Sequence, residues 1–226
     1  MTVTRGRLIV FEGPEGAGKT TQLRLLGEWL AAQGRAYTGV REPGGTALGN
    51  EIRRILLEPG RSIDARTEAL LFMASRAQLI SEVIQPALAQ GELVLADRFF
   101  LSTYAYQVVG RGLPLDDVRV GNRLATGGLV PDLTILLTLP APIREARTRA
   151  RGGPDRIESA GDAFHDRVER AFADCALPAW QAAHPECGTI IAVNAEGAER
   201  EVLDRVIGVL ASRLPDHFLL QNAAHA

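Results

Sequence analysis

The sequence predicts a three-layer α/β domain, a five-stranded parallel sheet with helices on both faces, and three observations carry that expectation. Five short apolar runs read as strands: Leu8 to Phe11, Tyr37 to Val40, Leu93 to Ala96, Leu133 to Leu139 and Thr189 to Val193. Helical periodicity fills the gaps between them, and strands alternating with helices belong to parallel sheets covered on both sides. The distinctive residue clusters follow strands, where such sheets bind their ligands.

The chain of 226 residues suits one such domain. A formal net charge of -2 and a pI near 6.1 leave no electrostatic footprint for nucleic acid or a membrane surface. No apolar run approaches the ~20 residues that span a bilayer, and no signal-peptide core precedes the first strand. Cys175 and Cys187 have no metal-like spacing, so a reduced, cytoplasmic setting with inert thiols is expected.

The first strand runs into Gly13-Pro14-Glu15-Gly16-Ala17-Gly18-Lys19-Thr20-Thr21. This is G-x-x-x-x-G-K-[ST], in which backbone N–H groups, a lysine and a hydroxyl on Mg²⁺ hold a nucleotide triphosphate. An amphipathic helix with Leu23, Leu26, Trp29 and Leu30 follows, as that motif requires. Lys19 is the only lysine among the 25 basic residues. A compact ammonium therefore stands where it must fit among phosphate oxygens, and planar guanidinium forks stand everywhere else.

The second strand ends in Arg41-Glu42-Pro43-Gly44-Gly45-Thr46. Proline and two glycines bring backbone close to a ligand, a cis bond before Pro43 is allowed, and an arginine at a strand's carboxyl end favours an anion site over an ordinary turn. A helix from Leu48 to Leu57 and a longer one from Thr67 to Ala89 follow. On the latter, Phe72 and Arg76 lie four apart and share a face. They read either as core beside a solvated charge or as a ring that stacks on a base beside a guanidinium that hydrogen-bonds it. The third strand ends in Asp97-Arg98, the form of a carboxylate that acts on Mg²⁺ or its water shell. A helix with Thr103, Tyr106 and Gln107 precedes the fourth strand. After that strand come Arg144, Arg147, Arg149, Arg151 and Gly152-Gly153-Pro154-Asp155-Arg156, which read as a solvated face, a nucleic-acid patch or a flap closing over phosphates. The acidic balance of the whole chain weighs against nucleic acid.

A hydroxyl acceptor for the phosphoryl group needs a carboxylate to take its proton. A phosphate acceptor is already ionised and instead needs cations to press two anions together. Arg41, Arg53, Arg76, Arg98 and the cluster from 147 to 156 supply them, and no histidine stands out as a base. The arrangement favours a nucleoside-monophosphate kinase. A guanine-specific switch protein is the rival from another class, but its N-K-x-D motif cannot exist in a chain whose sole lysine is Lys19.

The sequence resembles the thymidylate kinase family, in its bacterial form with arginines in the lid, from about Leu8 to Leu210. The resemblance is carried by F-E-G-P-E-G-A-G-K-T-T, R-E-P-G-G-T, L-L-F-M-A-S-R-A-Q, A-D-R-F, S-T-Y-A-Y-Q-V-V-G-R-G, P-D-L-T and R-A-R-G-G-P-D-R-I-E. It implies a P-loop NTPase-type fold, a homodimer, and the reaction of ATP with dTMP to give ADP and dTDP with Mg²⁺. It also implies one domain over 1–213 with a lid at about 148–160, and the residues from 214 to 226 read as a flexible tail.

Carried over by position, Gly13 to Thr21 would enclose ATP, with Lys19 and Thr20 on its phosphates and on Mg²⁺. Glu15 would face the acceptor's 3′-hydroxyl, and Asp97 would act through the metal. Arg41, Arg53 and Arg98 would clamp the dTMP phosphate, with Pro43 and Gln107 completing the pocket. Phe72 would stack on thymine, Arg76 and Thr103 would bond its edge, and Tyr106 would exclude a 2′-hydroxyl by shape. The loop has no arginine, so Arg149 or Arg151 in the lid would supply the transition-state charge. Phe99 departs from the tyrosine or histidine common after Asp-Arg. A loop at 194–197 is the expected adenine neighbour.

Overall fold

The computed structural model describes residues 5–150, 153 and 155–218. The strands β1 (Arg7–Glu12), β2 (Tyr37–Arg41), β3 (Leu93–Asp97), β4 (Leu133–Thr138) and β5 (Ile190–Asn194) form one parallel sheet in the order β2-β3-β1-β4-β5. The helices are α1 (Lys19–Ala32), α2 (Ala47–Leu57), α3 (Ala65–Leu79), α4 (Gln85–Ala89), α5 (Phe100–Thr103), α6 (Leu115–Thr126), α7 (Ala141–Arg149), α8 (Asp162–Cys175), α9 (Pro178–Ala183), α10 (Glu199–Arg213) and α11 (Pro215–Phe218).

Side-chain alternation along the strands makes the three layers. Leu8 and Val10 of β1 join a core with Met73 and Leu79 of α3 and Val168 and Phe172 of α8. Ile9 and Phe11 face the other way, into a core with Leu26 and Leu30 of α1 and Val206 and Leu210 of α10. All four β1 residues are fully buried, which is why this strand reads as an unbroken apolar run and not as an alternation. At the edge, β2 buries only Val40, so Thr38 and Gly39 are tolerated there. The expected five-stranded parallel sheet with helices on both faces is the one observed.

Three boundaries differ from expectation. The helix expected from Thr67 to Ala89 starts at Ala65, capped by Asp64 Oδ1 accepting from Arg66 N (3.0 Å), and it widens into a π-helical stretch at Ile80–Ile84 before α4. Pro86 has no N–H and crowds the carbonyl four residues back, and the widened turn, with Gln85 N bonded to Ile80 O, absorbs the misfit. A second π-helical stretch, Tyr104–Gly110, continues α5. Within the segment expected as a tail from residue 214, Pro215–Phe218 form α11. Phe218 is 2 % exposed, stacks on Trp29 at 6.2 Å and lies under the Arg35 guanidinium at 5.4 Å, an aromatic anchor strong enough to hold α11. Residues 219–226 lie outside the described ones. Both cysteines are buried and unpaired by disulfide, and no helix among the described residues is long and apolar enough to cross a membrane.

Candidate active site

The carboxyl ends of the strands open into one cavity of about 600 Å³, lined on one side by the loop after β1 and on the other by α2, α3 and the 104–110 stretch. The loop follows a path that glycine alone allows. At Gly13 (φ 134°) a Cβ would meet Leu137 O at 2.5 Å, and at Gly16 (φ 75°) it would meet Arg144 O at 2.6 Å. The loop is thereby pressed onto β4 and α7, and its far end starts α1 with no side-chain cap. The free N–H groups of that helix start are a ready anion site.

Lys19 is 7 % exposed, and its Nζ donates to the carbonyls of Gly13 (2.9 Å) and Pro14 (2.8 Å). Burial, and next the charge of Arg98, lowers its pKa to about 7, against the opposing pull of Asp97, Glu12 and Glu15. Thr20 Oγ1 donates to Asp97 Oδ2 at 2.6 Å, joining the loop to the end of β3. Glu15, Gly16, Ala17, Gly18, Thr20 and Thr21 line the cavity with Lys19, whereas Gly13 and Pro14 lie behind it as the carbonyls that hold the lysine.

Arg98 is the non-glycine residue with a positive φ (73°) among the described residues, a conformation that costs of order 1–3 kcal/mol and persists where the surroundings over-determine it. Here they do. Its N bonds Phe11 O (2.9 Å), Nη1 donates to Ser102 Oγ (2.9 Å) and Gly13 O (3.2 Å), and Nη2 reaches Tyr106 Oη (3.4 Å). Glu12, fully buried at the end of β1, accepts from Phe99 N, Ser102 N and Ser102 Oγ and lies 3.9 Å from the guanidinium. The wider turn of the π-helical stretch brings Tyr106 and Gln107 to the cavity wall beside Thr103. Tyr106 is wedged against Phe164 and Phe172, with ring centroids 6.1 and 6.0 Å away.

On the facing wall, the Glu42–Pro43 peptide is cis, as the sequence allows, and Gly44 N donates to Ser75 Oγ (3.0 Å). Arg53 Nη1 donates to Pro43 O (2.9 Å), and Arg41 stands exposed at the end of β2. Phe72 and Arg76 both line the cavity, so of the two sequence readings the solvated-charge one fails. Arg76 is 1 % exposed. Its Nε and Nη2 both bind Glu42 Oε2 (2.7 Å each), and its Nη1 donates to Thr103 Oγ1 (3.0 Å) and Asn122 Oδ1 (2.6 Å). Burial pushes the Glu42 carboxyl up, against the pull of Arg76.

The arginine-rich segment splits by helix phase. Residues 147 and 149 point about 200° apart on α7. Arg147 lines the cavity, its Nη1 3.7 Å from where a Cβ on Gly18 would sit, while Arg149 is exposed and outside the lining. Arg144 is a brace, donating to Leu139 O (3.1 Å) and Glu15 O (3.4 Å) and pairing with Glu169. Arg151 lies outside the described residues. Beyond it, Asp155 Oδ1 accepts from Ile157 N and Glu158 N. A hydrogen bond with Glu15, then burial, pushes Glu158 up to about 7. Ala195 and Gly197 of the expected adenine loop also line the cavity.

The family model for thymidylate kinase matches residues 11–200. The chain is 44 % identical to the thymidylate kinase of Deinococcus radiodurans over 93 % of its own length and 99 % of the relative's. It is 47 % identical to that of a Synechococcus strain (92 % and 95 %) and 43 % identical to that of Cutibacterium acnes (91 % and 98 %). The chain belongs to the thymidylate kinase family. Glu12, Glu42, Ser102 and Asn122 are not among the residues expected from sequence, although the first three sit inside F-E-G, R-E-P-G-G-T and S-T-Y-A-Y-Q-V-V-G-R-G. An acid closing a buried strand, and an acid between an arginine and a proline, were the signals that each needs a donor.

Proposed function

We infer that this thymidylate kinase family member transfers the γ-phosphoryl group of ATP to dTMP. The observation that carries the reading is one cavity in which the phosphate loop faces a second cationic wall made by Arg41, Arg53 and Arg98. Two phosphates must approach in line, and cations fixed between them lower the cost. Thr20 and Asp97 fit a small divalent cation, being a hydroxyl and a buried carboxylate side by side at the loop, the oxygen donors that Mg²⁺ combines with water and phosphate. Bound there, Mg²⁺ would neutralise charge on the transferring phosphates.

Base choice follows from Arg76. Glu42, Thr103 and Asn122 occupy four of the guanidinium's five N–H donors, leaving one for the base beside the Phe72 ring. A guanidinium donates and never accepts, so it welcomes the carbonyl at position 4 of thymine and refuses the amine of cytosine. Tyr106, immobilised by its aromatic neighbours and by Arg98, supports the expected exclusion of a 2′-hydroxyl, and Glu15 at the same cavity supports the 3′-hydroxyl contact. ADP production measured with dTMP, dUMP, dCMP, dGMP and the ribonucleotide of thymine tests this directly. dTMP is expected to be fastest, and greater activity on dCMP or dGMP would overturn the assignment.

For the transition-state charge, expected of Arg149 or Arg151, the position of Arg147 in the cavity lining supports Arg147 over Arg149. Arg147→Ala is expected to lower kcat about 100-fold and Arg149→Ala less than threefold; comparable losses would restore Arg149. The reading also includes a cytoplasmic homodimer. Val120 (71 % exposed) and Leu124 (85 %) lie four apart on α6, and Leu70 (64 %) is exposed on α3, which packs beside it; large apolar side chains left in water in this way mark an interface. Light scattering should give the mass of two chains, and a one-chain mass would remove the dimer.

A further inference from the structure

Phe72 and Arg76 continue a stripe whose preceding member, at the same four-residue spacing on α3, is Glu68. Glu68 is 1 % exposed and is not part of the cavity lining. Its carboxylate nonetheless collects donors from two other segments. Gln107 Nε2 (2.9 Å) and Arg111 Nε (3.1 Å) donate to Oε1, and Arg111 Nη2 (3.0 Å) and Arg156 Nη2 (2.6 Å) donate to Oε2. Arg156 is fastened further, through Nε to Leu56 O (2.6 Å) and through its backbone N to Leu57 O (3.3 Å) at the end of α2.

Each of these partners adjoins something the substrate would touch. Gln107 itself lines the cavity next to Tyr106. Arg156 lies between Asp155 and Ile157, which both line it, and binds the carbonyl of Leu57, which does too. Arg111 covers the ring of Phe164 at 4.3 Å, and Phe164 in turn supports Tyr106. One buried carboxylate thus holds two guanidinium groups that would otherwise repel each other, and those donors keep it below the usual carboxylate range despite burial.

We propose that Glu68 is a positioning residue for the acceptor nucleotide, tying α3, the segment from Tyr104 to Arg111 and the segment from Asp155 to Ile157 into one wall of the dTMP pocket. This rests on the dTMP kinase reading. The loop that would hold ATP makes none of these contacts, so the two substrates should respond differently.

Glu68→Gln keeps the shape and removes the charge. It is expected to raise KM for dTMP about tenfold while KM for ATP stays within twofold of wild type, in a protein that still melts cooperatively. Arg156→Gln, which removes the Arg156 contacts to Glu68 and Leu56 O and leaves Glu68 with Arg111 and Gln107, should raise the same KM, and it carries the test if Glu68→Gln does not fold. The double variant should fall short of the product of the two single effects, because the Glu68–Arg156 bond is shared by both. Parallel rises in both KM values, an unchanged dTMP KM, or effects that multiply in the double variant would overturn the proposal. Wild-type phosphorylation of dTMP in the same assay tests the parent reading. Its absence sinks both, whereas its presence with an unshifted dTMP KM in the variants sinks only the role of Glu68.

Discussion

Arg98→Ala is expected to lower kcat/KM for dTMP by about 10³-fold, roughly 4 kcal/mol of transition-state stabilisation. The chain holds this arginine in a left-handed backbone conformation and surrounds its fork with Gly13 O, Ser102 Oγ and Tyr106 Oη. That places a fixed cation where the loop meets the acceptor wall, so no reorganisation is needed when charge develops on the transferring group. Arg98→Lys keeps a charge but cannot reach the three acceptors at once, and should recover no more than about tenfold of the loss. Fold is not at stake, because Glu12 retains the N–H groups of Phe99 and Ser102; melting curves check this. Steady-state rates for Arg98→Ala within tenfold of wild type would show that the guanidinium does not face the reacting phosphates.

The parts of this site that were legible in sequence are those encoded over short distances. Gly13 to Thr21 declares itself because loop, lysine and hydroxyl are consecutive, and β1 and β3 because burial on both faces makes them continuously apolar. Phe72 and Arg76 could be paired by helical spacing, yet which way they face is a tertiary fact. Glu42, 34 residues away from Arg76 in sequence, Thr103, 27 away, and Asn122, 46 away, turn that arginine from a solvated charge into a fixed donor. Arg147 and Arg149 show the same limit at closer range. The arginine density was visible, but the phase of α7 against the loop was set by Arg144 bracing Leu139 and Glu15. The π-helical stretch at 104–110 carries no composition signal that separates it from an ordinary helix, and Phe218 anchors a short segment that reads as tail. Contacts that join distant segments around a buried charge are the common element in what was missed.

Lys19→Met is expected to reduce kcat about 10³-fold and, less obviously, to abolish a proton uptake that accompanies ATP binding. The ammonium sits among loop carbonyls at 7 % exposure, and burial together with Arg98 brings its pKa to about 7. As pH rises above about 7, a growing share of these side chains is therefore neutral in the ligand-free protein. Triphosphate oxygens favour the charged form and raise the pKa, so the complex holds more protons than the free protein wherever pH exceeds about 7. Binding should take up more proton at pH 8 than at pH 6 from this group, and affinity for ATP should weaken as pH rises above about 7. Calorimetry at pH 8 in buffers of different ionisation heat measures the uptake directly, where the nucleotide itself no longer titrates. Uptake near zero in the wild type would mean that Lys19 is already charged before the nucleotide arrives. Uptake that survives in Lys19→Met would assign the proton to another group, with Glu158, raised to about 7 beside Glu15, the first to examine.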